Sequence, residues 1–340
     1  MLCILYVIAV GTFLGFAGIL VERVLPPTFP RRWVWCLVIP ISVVLPGYYR
    51  ANHTWSVGEV AEQAAPQLQG HAPGMASTIA PAAGPWARLE AYDPFINRIW
   101  LIASGILIVW GLASAWHVEH LVRRSRRERG LSAASPVIDG VPVVITKSVG
   151  PATVGLWRSR VLVPRWVLAL PGAQRQYVVS HEDEHRRAHD ARLLFVASLP
   201  LILLPWNLAL WWQLRRLRLA VEMDCDNRVV NRLGNPSAYG EVLLKVAQAG
   251  TPGPRIQPAF LGGVGMLERR LTMLLAPTPL SHVQRFLLPA AACVLLFFVL
   301  SLPHPILTRG SHTHAAMTSS AATAPDHHGP ASASAIVTRR

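Results

Sequence analysis

Residues 181–190 read HEDEHRRAHD, and the architecture and chemistry predicted for this chain follow from them. Its first five residues read H-E-x-x-H, with His181, Glu182 and His185 at the fixed positions. Residues four apart lie on one face of a helix, so both imidazoles can bind the same metal ion. Glu182 follows the first histidine and is placed to accept a proton from a water molecule bound to that ion. The pattern is typical of zinc hydrolases, whose zinc keeps one coordination position open.

A third protein ligand would complete such a site, and the sequence offers three choices. His189 shares a helix face with His181 and His185, but eight residues of helix rise about 12 Å, too far for one ion unless the helix breaks. Glu222 begins an E-x-x-x-D pattern that ends at Asp226 on the next helix. We therefore expect Glu222 to bind the metal and Asp226 to accept a hydrogen bond from a ligand histidine. The remaining choice is a group of tail histidines beyond an apolar segment: His312, His314, His327 and His328.

The composition places this site in a membrane protein. The 340 residues are 52% hydrophobic and only 15% charged, which is typical of chains that cross a bilayer. The net charge of +14 could indicate nucleic-acid binding, but five arginines between residues 123 and 129 directly follow an apolar segment. Such clusters usually mark the cytoplasmic end of a span, so we expect no direct nucleic-acid partner. The four cysteines have no metal-ligand spacing and predict no disulfide framework.

We expect a mainly α membrane protein with about four transmembrane helices and a small α+β zinc-peptidase domain between the third and fourth. Two short β-branched runs in that domain, 141–145 and 160–163, predict strands, and the second could hold an extended substrate by edge pairing or be purely structural. The expected order is two transmembrane helices in 1–49, an extracytoplasmic loop in 50–96, a third transmembrane helix in 97–118, the cytoplasm-facing peptidase domain in 119–285, a fourth transmembrane helix in 286–303 and a disordered extracytoplasmic tail in 304–340.

Residues 193–212 carry no charge and are long enough to cross a membrane. We nevertheless expect this segment to dip into the membrane or lie along it, because a crossing would put Glu222 on the side opposite the histidines. Arginines flank both ends, and Pro200 and Pro205 offer a place to bend. With this topology, the cytoplasmic segments hold 26 of the 32 lysines and arginines.

Over most of its length the chain resembles the BlaR/MecR-type integral-membrane zinc peptidases, gluzincins that include antibiotic-sensing receptors. The resemblance implies that His181, His185 and Glu222 bind Zn²⁺, that Glu182 is the base, and that Asp190 supports the ligands at the end of an R-x-x-D-like continuation. It also implies a multi-pass protein of the inner (plasma) membrane whose site faces the cytoplasm. The matching segments are GPATVGLWRSRVLVP (150–164), HEDEHRRAHD (181–190), PWNLALWW (205–212), EMDCD (222–226) and LERRLTMLL (267–275).

The resemblance has one departure, at the end of the chain. The receptors carry a penicillin-binding domain after the last span, whereas some 38 residues follow it here, without S-x-x-K or K-T-G. Direct β-lactam sensing is therefore not expected.

The function expected from these observations is that of a membrane zinc metalloendopeptidase in regulated proteolysis and signal transduction. Its partners would be the lipid bilayer and a protein substrate, such as a cytoplasmic repressor, and the sequence leaves a homodimer open. One alternative is a membrane quality-control protease of HtpX/Ste24-like chemistry, which differs only in its substrate. Another is a non-catalytic signalling protein with a structural zinc site, against which the intact Glu182 argues, since a structural site needs no base.

Overall fold

The computed structural model describes residues 2–26, 29–48, 93–127, 136–146, 150–249, 264–275 and 281–301. The mainly helical fold with a small sheet agrees with the sequence-based expectation. The helices of this described part are α1 Leu2–Val24, α2 Arg32–Tyr48, α3 Asp93–Arg127, α4 Arg165–Leu168, α5 Gly172–Ala188, α6 Asp190–Leu203, α7 Leu208–Leu233, α8 Pro236–Gln248, α9 Val264–Leu275 and α10 His282–Ser301. The strands are β1 Val137–Ile138, β2 Val141–Thr146, β3 Ala152–Val154 and β4 Arg160–Pro164.

Three helices within the described residues are long and apolar enough to cross a membrane: Ile4–Val24, Asn97–His120 and His282–Ser301. The predicted second span forms α2, whose 17 residues correspond to about 26 Å, slightly less than the hydrocarbon core of a typical bilayer. Four spans therefore stay a prediction. Helix α3 begins at Asp93, four residues inside the predicted loop, while the rest of that loop and the predicted tail 304–340 lie outside the described residues.

Residues 193–212 do not form one continuous helix. Helix α6 ends at Leu203, the chain turns through residues 204–207, and α7 begins at Leu208. The Asn207 side-chain oxygen accepts hydrogen bonds from the backbone N–H groups of Ala209 (3.0 Å) and Leu210 (3.3 Å), which caps α7. The break agrees with the predicted bend near Pro205, which lies in the turn.

The turn between α6 and α7 packs beside the middle of α1. A Cβ atom added to Gly11 would lie 3.1 Å from the Ala209 Cβ, so α7 approaches α1 as closely as a glycine allows. One turn of helix further along, the Gln213 amide donates to the Gly11 carbonyl oxygen at 2.7 Å and to the Ser42 hydroxyl at 2.9 Å. The α6–α7 hairpin thus reaches the midpoint of α1.

The strands form one sheet in the order β1-β2-β4-β3. Strands β2 and β4 are parallel, and the two outer pairs are antiparallel. Both predicted strands are present, and of the two roles left open for 160–163, substrate pairing at a sheet edge and a purely structural role, the strand order supports the structural one. Strand β4 is hydrogen-bonded to β2 on one side and β3 on the other, so it has no free edge. The outer strand beside α5 is β3.

Buried valines of β2 and β4 pack against α5, α7 and α8. The core they form consists mainly of Val143, Val161, Val163, Val178, Val179, Val229, Tyr239 and Val242. Because α5 and α7 share this core, they are held side by side. The residues singled out in the sequence lie where these two helices meet.

Candidate metal site

The two histidines of H-E-x-x-H lie one turn apart on α5 and face α7. Their Nε2 atoms are 3.2 Å apart. From α7, the Glu222 carboxylate approaches both rings, with Oε2 at 3.5 Å from His181 Nε2 and Oε1 at 3.7 Å from His185 Nε2. The structure therefore brings together the three ligands expected from the sequence.

These distances fit a tetrahedral zinc site. Zinc binds imidazole nitrogen at about 2.0–2.1 Å, so two ligand atoms of a regular tetrahedron lie about 3.3–3.4 Å apart. The three separations between His181, His185 and Glu222 scatter around that value. Two neutral imidazoles and one carboxylate are also the donor set of several catalytic zinc sites. The residues present thus fit the metal that the motif implies.

The charges around the ligands also favour a cation. Burial alone lowers the pKa of His181, but the Cys225 thiol and the Glu222 carboxylate raise it to about 10. Burial raises the pKa of Glu222, but Arg270 and His185 hold it well below its usual range. The negative charge around the two imidazoles therefore favours a bound cation, and a metal ion would bind their neutral forms.

The His185 ring is oriented by Asp190. The helix breaks after Ala188 because His189 adopts a left-handed conformation (φ 57°, ψ 33°), and α6 begins at Asp190. This break turns the Asp190 carboxylate back toward α5, where Oδ2 accepts a hydrogen bond from His185 Nδ1 at 2.8 Å. A proton on Nδ1 leaves the Nε2 lone pair free for a metal. Asp190 thus contacts one of the two predicted histidine ligands. The helix breaks next to His189, as a role for this residue as third ligand would require. The His189 side chain is nevertheless exposed, whereas Glu222 faces the two histidines.

The His181 ring is held from α8 rather than directly from α7. The Tyr239 hydroxyl lies 2.9 Å from His181 Nδ1 and donates to Asp226 Oδ1 at 2.7 Å. Asp226 Oδ1 itself is 3.6 Å from Nδ1. Asp226 therefore supports the histidine mainly through Tyr239, whereas the sequence predicted a direct hydrogen bond.

Arg270 of α9 connects the two carboxylates of E-x-x-x-D. Its guanidinium donates to both oxygens of Asp226, at 2.8 and 2.7 Å, and lies 2.9 Å from Glu222 Oε2. No sequence motif points to Tyr239 or Arg270. The segment LERRLTMLL contains Arg270, but no local pattern distinguishes it from Arg269.

Glu182 is buried beside His181, with its carboxylate directed toward β3. The Thr153 hydroxyl lies 2.5 Å from the Glu182 backbone oxygen and 3.1 Å from its Oε2. One hydroxyl proton cannot serve both acceptors fully, and the shorter contact favours the backbone oxygen. The Glu182 carboxylate therefore retains acceptor capacity for the proton of a water molecule.

Cys225 is the main competitor for the place of Glu222, since its sulfur could also bind a metal together with the two histidines. Its Sγ lies 3.3 Å from His181 Nδ1, the ring nitrogen next to Tyr239. Glu222 instead faces the Nε2 atoms of both rings. One ion bound by both Nε2 atoms would therefore have the Glu222 carboxylate beside it, and this geometry favours the carboxylate as the third ligand. The spacing of the cysteines in the sequence did not indicate that Cys225 lies beside the metal site.

Fold and site together are those of a membrane-associated metallopeptidase: apolar helices, an H-E-x-x-H helix and a facing carboxylate helix. The family profile described as BlaR1 peptidase M56 matches residues 4–274 of the chain. The chain belongs to this family. Comparison with curated proteins finds no match.

Proposed function

We propose that the protein is a multi-pass zinc metalloendopeptidase of the inner (plasma) membrane that cleaves a protein substrate at the cytoplasmic side. The observation that carries the proposal is the facing of His181 Nε2, His185 Nε2 and the Glu222 carboxylate at zinc-like separations. Family membership supports the peptidase class. The intact Glu182 supports a catalytic rather than a purely structural zinc site, because a structural site needs no base.

In the proposed mechanism, His181, His185 and Glu222 hold the zinc, and Asp190 and Tyr239 keep the two imidazoles oriented. Bound zinc supplies a polarising charge for the substrate carbonyl and for the attacking water. Glu182 accepts the proton of that water at its carboxylate and later returns it to the leaving amine. Strand β3 is the outer strand next to Glu182 and supports binding of an extended substrate by edge pairing.

The cytoplasmic orientation rests on charge and on the α6–α7 hairpin. Most lysines and arginines lie in the segments assigned to the cytoplasm. The hairpin turn beside Gly11, midway along α1, supports a segment that dips into the membrane and returns. Such a path keeps α5 and α7 on one side. Regulated cleavage of a cytoplasmic repressor is the role we propose, because the chain belongs to the BlaR1 peptidase family.

The test is proteolysis by detergent-purified protein, with fluorescently labelled casein as a general endopeptidase substrate and zinc content measured in parallel. Glu182→Gln should retain zinc and lose about 10²–10⁴-fold in cleavage rate, since it removes the base but no ligand. Glu241→Gln, which neutralises an exposed carboxylate on α8, serves as the control and should cleave like the wild type. Unchanged cleavage by Glu182→Gln would place the base elsewhere.

A further inference from the structure

The short connection between α1 and α2 reaches the candidate metal site. The backbone N–H groups of Arg31 and Arg32, at the start of α2, donate to the two oxygens of Asp224 at 2.9 and 3.1 Å. A carboxylate at the first turn of a helix satisfies free N–H groups and favours the helix dipole. Asp224 lies on α7, two residues after Glu222. Helix α2 is therefore attached to the helix that carries the third ligand.

The Arg32 side chain makes a second attachment, toward the histidines. Its Nη1 lies 2.7 Å from Asp190 Oδ1, while Asp190 Oδ2 accepts the hydrogen bond from His185 Nδ1. The Arg32 and Asp190 side chains are only 13% and 3% exposed. A charge-assisted hydrogen bond that is shielded from water is stronger and more directional than one at the surface. A continuous path of short contacts thus runs from α2 through Arg32 and Asp190 to a ring of the metal site.

Arg228 is the other described cation near Asp190, and it is less well placed. Its Nη2 lies 3.7 Å from Asp190 Oδ2, whereas its Nε donates to Glu184 at 3.0 Å. Arg228 is engaged mainly by Glu184. The short ion pair with Arg32 therefore fixes the Asp190 carboxylate.

We propose that Arg32 is a positioning residue of the metal site, which holds the Asp190 carboxylate directed at His185 and so ties metal affinity to the position of helix α2. The inference rests on the proposed metal site. It predicts that Arg32, which touches neither metal nor substrate, acts through Asp190. Displacement of the first turn of α2 would loosen the contact between Arg32 and Asp190 and weaken the hold on the metal.

The experiment measures zinc affinity of the full-length protein in detergent by competition with a chromophoric chelator, and the thermal unfolding midpoint of the metal-free protein. Arg32→Gln should weaken zinc binding by about 10-fold, at the lower end of the effect of losing an outer partner. Arg32→Lys keeps the charge and should recover part of that affinity. Because Arg32 acts through Asp190, the double variant Arg32→Gln/Asp190→Asn should bind zinc no more weakly than Asp190→Asn alone.

The matched control is Arg216→Gln. Arg216 pairs with Glu22 at 2.7 Å, and their side chains are 15% and 6% exposed, so this pair is as short and nearly as buried as the one between Arg32 and Asp190. It includes no residue of the metal site. Arg216→Gln should leave zinc affinity unchanged, even if it lowers the unfolding midpoint.

The outcomes separate the inference from the proposed function. Wild-type affinity in Arg32→Gln, in a protein that binds one zinc, would overturn the inference and leave the metal site intact. An equal loss of affinity in Arg32→Gln and Arg216→Gln would reduce Arg32 to a structural residue. If Arg32→Gln does not fold, the double variant Arg32→Lys/Asp190→Asn takes its place. A loss of zinc affinity in this double variant equal to the sum of the two single losses would overturn the inference. A wild-type protein that binds no zinc would overturn the proposed function and the inference with it.

Discussion

Replacing Tyr239 by phenylalanine tests the support of His181 with a single-atom change. The Tyr239 hydroxyl bridges His181 Nδ1 and Asp226 Oδ1, and the residue is 1% exposed. Phenylalanine keeps the packing of the ring. Asp226 retains both hydrogen bonds from Arg270, so the change falls on the imidazole, whose Nδ1 is left with the more distant Cys225 sulfur at 3.3 Å. Loss of one buried hydrogen bond costs about 1–2 kcal/mol, which corresponds to about 5–30-fold in zinc affinity.

The control is Tyr177→Phe in the neighbouring ring. The two ring centroids are 5.5 Å apart, and the Tyr177 hydroxyl donates to the Gly234 carbonyl oxygen at 3.0 Å, away from the metal ligands. Zinc affinity by chelator competition should fall in Tyr239→Phe and stay at the wild-type value in Tyr177→Phe. Equal affinity in both variants would refute the argument that Tyr239 orients His181.

Three further predictions concern the third ligand, the membrane path and helix packing. Glu222→Gln should lose stoichiometric zinc while Cys225→Ser retains it, as measured by metal analysis; the reverse pattern would make Cys225 the ligand. In a cysteine-free background, Arg187→Cys and Arg215→Cys should both resist a membrane-impermeant thiol reagent in intact cells and react after permeabilisation. Labelling of position 215 alone from outside would mean that residues 193–212 span the membrane. Gly15→Ala should lower the thermal unfolding midpoint in detergent, because its Cβ would lie 2.2 Å from the Trp212 ring and such overpacking costs about 1–3 kcal/mol. The control Gly105→Ala should leave the midpoint unchanged, because its Cβ meets nothing within 4 Å. Equal midpoints for the two glycine variants would contradict the close packing of α1 on α7.

The sequence alone predicts those parts of the site that depend on local helix geometry. The four-residue spacings of His181 and His185, and of Glu222 and Asp226, follow from helical periodicity. The bend near Pro205 could also be anticipated, since the two flanks of that segment are basic and the positive-inside rule predicts that they share a side. The break at His189 could not, because a non-glycine residue in a left-handed conformation has no strong signature.

The remaining contacts depend on the tertiary fold. Tyr239 is 58 residues from His181, and Arg32 is 158 residues from Asp190. No periodicity relates residues so far apart, so their roles become visible only when α8 and α2 are placed against the site. The order of the strands has the same origin: β3 is added outside β4, which leaves β3 rather than β4 at the edge.

In the proposed site, one zinc ion is held by two histidines and the carboxylate of Glu222. X-ray absorption at the zinc edge, combined with metal analysis of the purified protein, identifies these ligands. We expect one zinc per chain with nitrogen and oxygen neighbours at about 2.0–2.2 Å. Substoichiometric zinc, or a sulfur neighbour at about 2.3 Å, would contradict the claim, and the sulfur would point to Cys225.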